Sequence, residues 1–310
     1  MHPGRGIDGF ALTRLAPAKI NLALHVVGQR ADGYHLLESL VTFADAGDRI
    51  GLSLSDEDRF TVSGQFSGDL PLSGDGASGN LVLKARDLLR AELSERGIEA
   101  PPVHLHLEKN LPVASGIGGG SADAAAAVMG LMELWKGSPG DERLRALAVH
   151  LGADVPMCLE GRPLVARGIG DAIEPLSGFP AFPMLLVNPR VAVATPAIFG
   201  ALSEKCNAPL NLPQGWQADD GWIDALRTMR NDLEPPARAI APVIGAVSDA
   251  LHEAGAQLVR MSGSGATCFG LFSSMPARDV AARTLSSRHP DWYVLACTST
   301  SGQENYHEPF

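Results

Sequence analysis

Several things are scarce in this chain of 310 residues. It has four cysteines, Cys158, Cys206, Cys268 and Cys297, far apart and with no C-x-x-C pair. That argues against a disulfide framework or a thiolate metal site, and the four read as reduced, packing thiols of a cytoplasmic protein. No basic run occurs and the net charge is −10, which disfavours a nucleic-acid backbone as partner. No apolar stretch is long enough to span a membrane, and residues 1–14 hold no apolar run of signal-peptide length. There is no internal repeat and no heptad run. What remains is an ordinary core: 45% hydrophobic and 19% charged residues, in a length that fits two domains or one large one.

Glycine is plentiful, and its placement organises the chain. In Leu111-Pro112-Val113-Ala114-Ser115-Gly116-Ile117-Gly118-Gly119-Gly120-Ser121-Ala122-Asp123, four glycines fall in five positions. Glycine permits conformations and close approaches that a Cβ blocks. The alanine-rich residues 122–135 read as a helix with Ser121 at its cap. A loop of N–H groups leading into a helix N-terminus is a phosphate cradle. It is neither common glycine loop. A Walker A loop ends in Gly-Lys-Ser/Thr, whereas Gly120 is followed by Ser121-Ala122. A dinucleotide fingerprint needs G-x-G-x-x-G, and the sixth position from Gly116 is Ser121. An idle surface connection is the plain alternative, but it has no reason to carry the chain entropy of four glycines.

Taken in order, residues 1–10 read as a loose leader and residues 12–27 as extended structure. Lys19 and Asn21 share one strand face and Ile20 and Leu22 the other; spacing alone makes the first face a solvated one. Asp32-Gly33 marks a turn before Tyr34 and His35, which fit either ordinary half-buried structure or contacts to a planar ring. Residues 36–43, 49–54 and 60–63 read as strands and 64–79 as an exposed loop. Asn80 caps a helix striped by Leu81, Val82, Ala85, Leu88, Leu89 and Leu93. Residues 103–108 alternate as a half-buried strand, with His104 and His106 on a solvated face and no third metal ligand evident. A helix capped at Asp141 ends at Gly152. Asp154 fits a cap with Pro156 in the first turn, and spacing does not separate that from a chemical role. Two short strands span 163–176. Beyond a boundary near 179 come a strand at 184–187 and a helix start at Thr195-Pro196, with Thr195 as cap. Residues 207–221 read as irregular. Helices follow at 222–233 and 238–254, then strands at 257–261 and 267–272 joined by Ser262-Gly263-Ser264-Gly265-Ala266. A helix at 276–288, a strand at 292–297 and a mobile tail from Gly302 complete the chain.

Pro17-Ala18-Lys19-Ile20-Asn21-Leu22, Arg30-Ala31-Asp32-Gly33-Tyr34-His35, the glycine loop, Gly152-Ala153-Asp154-Val155-Pro156 and Ser262-Gly263-Ser264-Gly265-Ala266 occur in that order. From about residue 15 to 298 the chain resembles the GHMP kinases. Ala-Asp-Gly-Tyr-His and Gly-Ala-Asp-Val-Pro are similar to the branch that phosphorylates the tertiary 2-hydroxyl of a cytidine-diphosphate-linked methylerythritol in isoprenoid precursor synthesis. The resemblance implies an α+β, two-domain GHMP-kinase fold with the active site in the interdomain cleft. Residues 1–178 would bind ATP and residues 179–310 the substrate. It implies ATP and Mg²⁺, a small-molecule substrate, no nucleic-acid or membrane partner, and a monomer or weak homodimer. Residues 112–122 would hold the ATP phosphates, with Asn80 and Leu81 on the adenine side. Lys19 and Asp154 would form the catalytic pair. Asn21, Tyr34, His35, Thr195 and Phe199 would face the substrate, with His35 hydrogen-bonding the cytosine and Phe199 stacking on it. Gly263 to Ala266 would sit near the transferred phosphoryl group.

The chain departs from the family at Ala122, where a second serine is usual, so any hydroxyl ligand must be Ser121 or water. Two other readings stay open here. A GHMP kinase for homoserine or a phosphomevalonate would keep the loop without needing Tyr34, His35 and Phe199. A nucleotide sensor would bind ATP without turnover, which the joint presence of Lys19 and Asp154 argues against.

Overall fold

The computed structural model describes residues 6–70, 79–212 and 221–302. The expected leader lies partly outside these residues, as do the loops at 64–79 and 207–221; the tail beyond Gly302 lies wholly outside. The chain forms two compact α+β units. One comprises Met1–Ala18, Ala46–Val113 and Gly118–Glu160, the other Lys19–Asp45, Ala114–Ile117 and Gly161–Phe310. This grouping differs from a single border at 178/179. The reason is the length of the first two strands, β1 (Leu12–Gln29) and β2 (His35–Leu54). Each supplies one stretch to each unit, so the units interleave in sequence. No described helix is long and apolar enough to cross a membrane.

In the first unit, residues 49–54 of β2 pair antiparallel with β4 (Val103–Glu108), and β3 (Arg59–Ser63) runs parallel to β4. Helix α1 (Leu81–Glu95) starts as its sequence predicts, with the Asn80 side chain accepting the Val82 N–H at 2.9 Å. Val82, Ala85, Leu89 and Leu93 form its buried stripe. Helix α2 (Gly119–Leu134) buries Ala124 to Val128 and Gly130. A Cβ at Gly130 would stand 2.6 Å from Leu52, so this small-residue face lets the helix lie directly on the sheet. Helix α3 (Asp141–Leu151) and helix α4 (Val155–Glu160) complete the unit.

Three local expectations change here. Residues 44–48 do not break the strand: β2 passes through Gly47, whose Cβ would stand 2.0 Å from the Ala16 carbonyl oxygen, a closeness only glycine allows. The cap of α3 is Gly140, and Asp141 is its first residue, where its charge favours the helix dipole. The His104/His106 face is solvated only at its His104 end. His106 is 5% exposed, hydrogen-bonded at 2.8 Å to Thr61 and to Ser63, and covered by the Phe10 ring.

In the second unit, residues 37–41 of β2 pair with β5 (Leu164–Gly168), which pairs with β6 (Ala172–Pro175). A second sheet is fully antiparallel. Its order is β10 (Tyr293–Thr298), β7 (Pro183–Asn188), β9 (Cys268–Leu271), β8 (Leu258–Met261). Helices α5 (Thr195–Gly200), α6 (Trp222–Thr228), α7 (Glu234–Ile240), α8 (Val243–Glu253) and α9 (Met275–Arg288) accompany it. Its core joins Val26, Leu185, Val187, Ile198, Ile244, Val247, Leu251 and Phe272. Where two helices were expected between 222 and 254 there are three. Asn231 uses its side chain to hold Met261 and Gly263, and Pro242 restarts the helix at its cap.

The Gly47 contact gives a direct test. Gly47→Ala should destabilise the protein by about 1–3 kcal/mol, the usual range for overpacking. Denaturant midpoints of the two forms measure this; an unchanged midpoint would mean that β1 and β2 do not approach this closely.

Candidate active site

The glycine loop is held by its carbonyl groups. The Ser115 carbonyl accepts the Thr267 N–H at 3.2 Å and hydroxyl at 2.7 Å. The Gly116 carbonyl accepts the Ser262 hydroxyl at 3.0 Å, and the Ile117 carbonyl accepts the Lys19 N–H at 2.9 Å. A Cβ at Gly116 would stand 2.5 Å from the Ser262 carbonyl oxygen, so glycine is required there. Gly118 takes a left-handed φ of +65° and is the N-cap of α2. Ser121 is therefore not the cap; it sits in the first turn, because the helix begins within the glycines. Among the described residues nothing accepts from the N–H groups of Gly116, Ile117, Gly118, Gly119 and Gly120. Carbonyls turned into the protein and N–H groups left for a ligand make an anion cradle.

Lys19 and Asn21 share a strand face as predicted, but that face is buried: each is 4% exposed. Lys19 Nζ donates to Asn21 Oδ1 at 3.0 Å, and Asn21 Nδ2 donates to Ser39 Oγ at 2.8 Å. The Asn21 N–H donates to Ser262 Oγ at 3.0 Å. Ser262 thus fastens both the Lys19 strand and the glycine loop. Behind it, Asn231 Nδ2 donates to the carbonyls of Met261 and Gly263, each at 2.8 Å. A polar face this well bonded reads as solvated only while its distant partners are unseen.

Of the residues expected at the substrate, His35 and Phe199 are brought together. The rings of His35 and Phe199 stack with centroids 4.9 Å apart and 28° between planes. Nε2 of His35 is buried and, among the described residues, has no hydrogen-bond partner. Burial, then the charge of Lys205, holds the His35 pKa below its ordinary value. Tyr34 next to it is 64% exposed. Thr195 is not the cap of α5, which is Ala194; its hydroxyl lies 2.7 Å from that of Ser264. In the first unit, Asn80 caps α1, and Leu81 lies 3.7 Å from where a Gly120 Cβ would be. Asp154 directly precedes α4, whose Cys158 N–H donates to the Asp154 carbonyl at 3.1 Å. Pro156 stands in the first turn, as expected.

Sequence reasoning missed Lys109, Asp48, Asp123 and Asn231. Lys109 follows β4, and its Nζ donates to Oδ2 of Asp48 and, at 2.8 Å, to Oδ2 of Asp123. One signal was available: Asp123 is a charge set among the alanines of an apolar helix turn, and a buried charge needs a partner.

Among the described residues no three His, Cys, Asp or Glu side chains gather as a metal cage. The cradle offers the Ser121 hydroxyl and no hydroxyl at Ala122. Such a sparse donor set suits an ion carried by phosphate oxygens and water, as magnesium commonly is.

The family description "GHMP kinases N terminal domain" matches residues 80–162, and "GHMP kinases C terminal" matches residues 219–290. A Rhizobium meliloti (strain 1021) protein named 4-diphosphocytidyl-2-C-methyl-D-erythritol kinase is 64% identical over 298 residues, covering 96% of this chain and 98% of its own. The chain belongs to the 4-diphosphocytidyl-2-C-methyl-D-erythritol kinase family of GHMP kinases. A second kinase of that name, from Sinorhizobium medicae (strain WSM419), is 63% identical over the same coverage. The solved structure of a 4-(cytidine 5'-diphospho)-2C-methyl-D-erythritol kinase, 31% identical, overlays with a TM-score of 0.77 and covers 94% of this chain and 100% of its own. A homoserine kinase from Cytophaga hutchinsonii, at 22% identity and a TM-score of 0.66 over 94% of this chain and 95% of its own, shares the fold of this kinase.

A lowered pKa keeps the His35 ring neutral at neutral pH and lets it protonate only below about 6.5. Proton NMR of the His35 ring should therefore show its midpoint under that value. A midpoint at or above it would contradict the burial of the stacked ring.

Proposed function

We propose that this kinase transfers the γ-phosphoryl group of ATP to the tertiary 2-hydroxyl of 4-diphosphocytidyl-2-C-methyl-D-erythritol, giving the 2-phosphate and ADP. The step belongs to the non-mevalonate route to isoprenoid precursors. The observation that carries the reading is the 64% identity over nearly the whole of both chains to a relative named for this activity. Locally it is supported by the stacked pair His35 and Phe199, an aromatic slab with a buried polar edge, suited to a nucleobase. We place the reaction in the cytoplasm and the working form as a monomer or weak homodimer.

Phosphoryl transfer needs alignment and charge neutralisation more than covalent help. In this proposal the N–H groups of residues 116–120 bind the ATP phosphates, with residues 112–122 as their frame and Asn80 and Leu81 on the adenine side. Ser121 is the side chain offered to Mg²⁺, which when bound would neutralise phosphate charge. Asp154 accepts the proton as the substrate O–H bond breaks. That oxygen bonds to the γ-phosphorus, and the bond from phosphorus to the β,γ-bridging oxygen breaks to release ADP. Lys19 stabilises negative charge on the attacking oxygen. A tertiary hydroxyl is a weak acid, so a base and a nearby cation are both needed. Asn21 holds the Lys19 ammonium in place. His35 hydrogen-bonds the cytosine edge, Phe199 and Tyr34 meet its face, and Thr195 contributes a hydroxyl. Residues 1–178 then carry the nucleotide side, and residues 179–310 complete the substrate side.

The test is ATP-dependent phosphorylation of the cytidyl substrate, followed by ADP release, with homoserine and mevalonate alongside. Turnover of the cytidyl substrate alone is expected. Asp154→Asn should lower kcat about a hundredfold or more with an unchanged melting temperature; were Asp154 a mere cap, Asn would cap equally well and turnover would be kept. Phe199→Ala should raise KM for the cytidyl substrate about three- to tenfold and leave KM for ATP alone, in line with the worth of an aromatic stack. Turnover of another alcohol instead would discard the cytidyl reading.

A further inference from the structure

The cluster of Lys109, Asp48 and Asp123 lies outside the roles given so far. All three side chains are almost fully buried, at 3%, 0% and 4% exposure. One ammonium meets two carboxylates. Asp123 Oδ1 is buried and, among the described residues, has no hydrogen-bond partner. Burial first, against the pull of Lys109, pushes the Asp123 carboxyl up to about 8. Burial opposes the Lys109 charge, yet Asp123 and Asp48 together outweigh it and hold the ammonium above its ordinary value. A buried ion cluster with an oxygen left over is weak evidence for stability, because desolvation offsets much of the attraction. Its geometry says more.

Asp48 uses its second oxygen, Oδ1, to accept the N–H groups of Asn110 at 2.5 Å and Leu111 at 2.8 Å. These residues are the entry to the glycine loop. At the exit, a Cβ on Gly119 would stand 3.1 Å from Lys109 Nζ and 3.5 Å from Asp48 Oδ2, so the ammonium is pressed against the first turn of α2. Asp123, one turn on, grips the same ammonium. One charge cluster therefore fixes both ends of a segment whose glycines would otherwise let it vary.

We propose that Lys109, seated between Asp48 and Asp123, is the positioning residue that sets the entry and exit of the glycine loop so that its N–H groups converge on ATP. This rests on the reading of the loop as the ATP site. The cluster touches no reacting atom, so its loss should appear in the binding of nucleotide and not in that of the other substrate. A merely structural role would reduce the amount of active enzyme and leave both KM values where they were.

The experiment compares wild type with Asp48→Asn and Asp123→Asn, measuring both KM values with the cytidyl substrate and ATP. Both variants keep the side-chain shape. Asp48→Asn weakens the grip on Lys109 and on the loop entry, and should raise KM for ATP tenfold or more while KM for the cytidyl substrate stays within twofold. Asp123→Asn still presents an oxygen to Lys109 and holds no loop N–H, so its KM for ATP should stay within threefold. If Asp48→Asn does not fold, Lys109→Arg takes its place. It keeps the charge in a bulkier, forked group where the ammonium already presses on Gly119, so the loop must shift to admit it, and the thresholds set for Asp48→Asn apply. In Asp48→Asn, a rise in KM for ATP below tenfold or an equal rise in both KM values would overturn the proposal, as would a rise in Asp123→Asn that matches that of Asp48→Asn. No turnover in the wild-type enzyme would instead fail the functional reading beneath it.

Discussion

Backbone polar groups cannot be left unpaired inside a protein, and the glycine loop turns this requirement to use. Residues 115–117 have their carbonyls taken by Thr267, Ser262 and the backbone of Lys19. With the acceptors committed inward, the donors of residues 116–120 are what the loop has left to offer. No side chain is needed to make such a surface selective for anions, since the start of α2 adds the positive end of its dipole. Glycine is demanded twice for separate reasons. At Gly116 the Ser262 backbone approaches too closely for a Cβ, and at Gly118 the chain must turn left-handed to start the helix.

The same carbonyl anchors locate the rest of the second unit's chemistry. The Lys19 N–H that holds Ile117 belongs to the residue whose ammonium is buried beside Asn21. Ser262 accepts from Asn21 and donates to Gly116, so a shift of the Ser262 loop would move the lysine strand and the glycine loop together. Asn231 in turn prevents that shift by holding the carbonyls on either side of Ser262. The Lys19 strand, the glycine loop and the Ser262 loop, far apart in sequence, are thus fastened to one another. Rigidity is what a phosphoryl transfer asks for, since it depends on placing donors and acceptor with little covalent assistance.

Much of this was legible in the sequence, and the pattern of failures has a physical cause. Alternation found β4, the turn residues at 168–171 marked β5 and β6, and Asn80 announced α1, because those signals are local. Ser121, Asp141 and Thr195 each read as caps and each proved to lie just inside its helix. Capping residues are also good first-turn residues, and preceding Gly118, Gly140 and Ala194 had the backbone geometry required. The interruption read into β2 reflects a turn-like Asp45-Ala46-Gly47-Asp48 whose glycine serves close packing against Ala16 instead. The glycine loop stood out by itself, whereas Lys19, Asp154, His35 and Phe199 were marked by the family resemblance, each fitting a plainer role alone. Asp48, Lys109 and Asp123 did not, because no period links positions that meet only through the sheet and helix that carry them.

The substrate side follows a different logic from the phosphate side. In the proposed site, phosphates are bound through backbone donors, which discriminate charge but not identity. A nucleobase offers faces and an edge, so recognising it takes side chains. The His35 and Phe199 rings lie close to parallel, and burial keeps the imidazole uncharged. A neutral ring has one donor and one acceptor nitrogen, and it stacks without the desolvation penalty of a cation. The buried Nε2 has no partner among the described residues. A hydrogen-bonding group buried in that way favours a ligand that completes it and rejects one that cannot, a stronger discrimination than apolar contact alone provides. In the proposed reaction the cytosine edge is what completes it. An acceptor alcohol without a nucleobase would leave that nitrogen unsatisfied, and for that reason the shared fold of a homoserine kinase does not carry its substrate across.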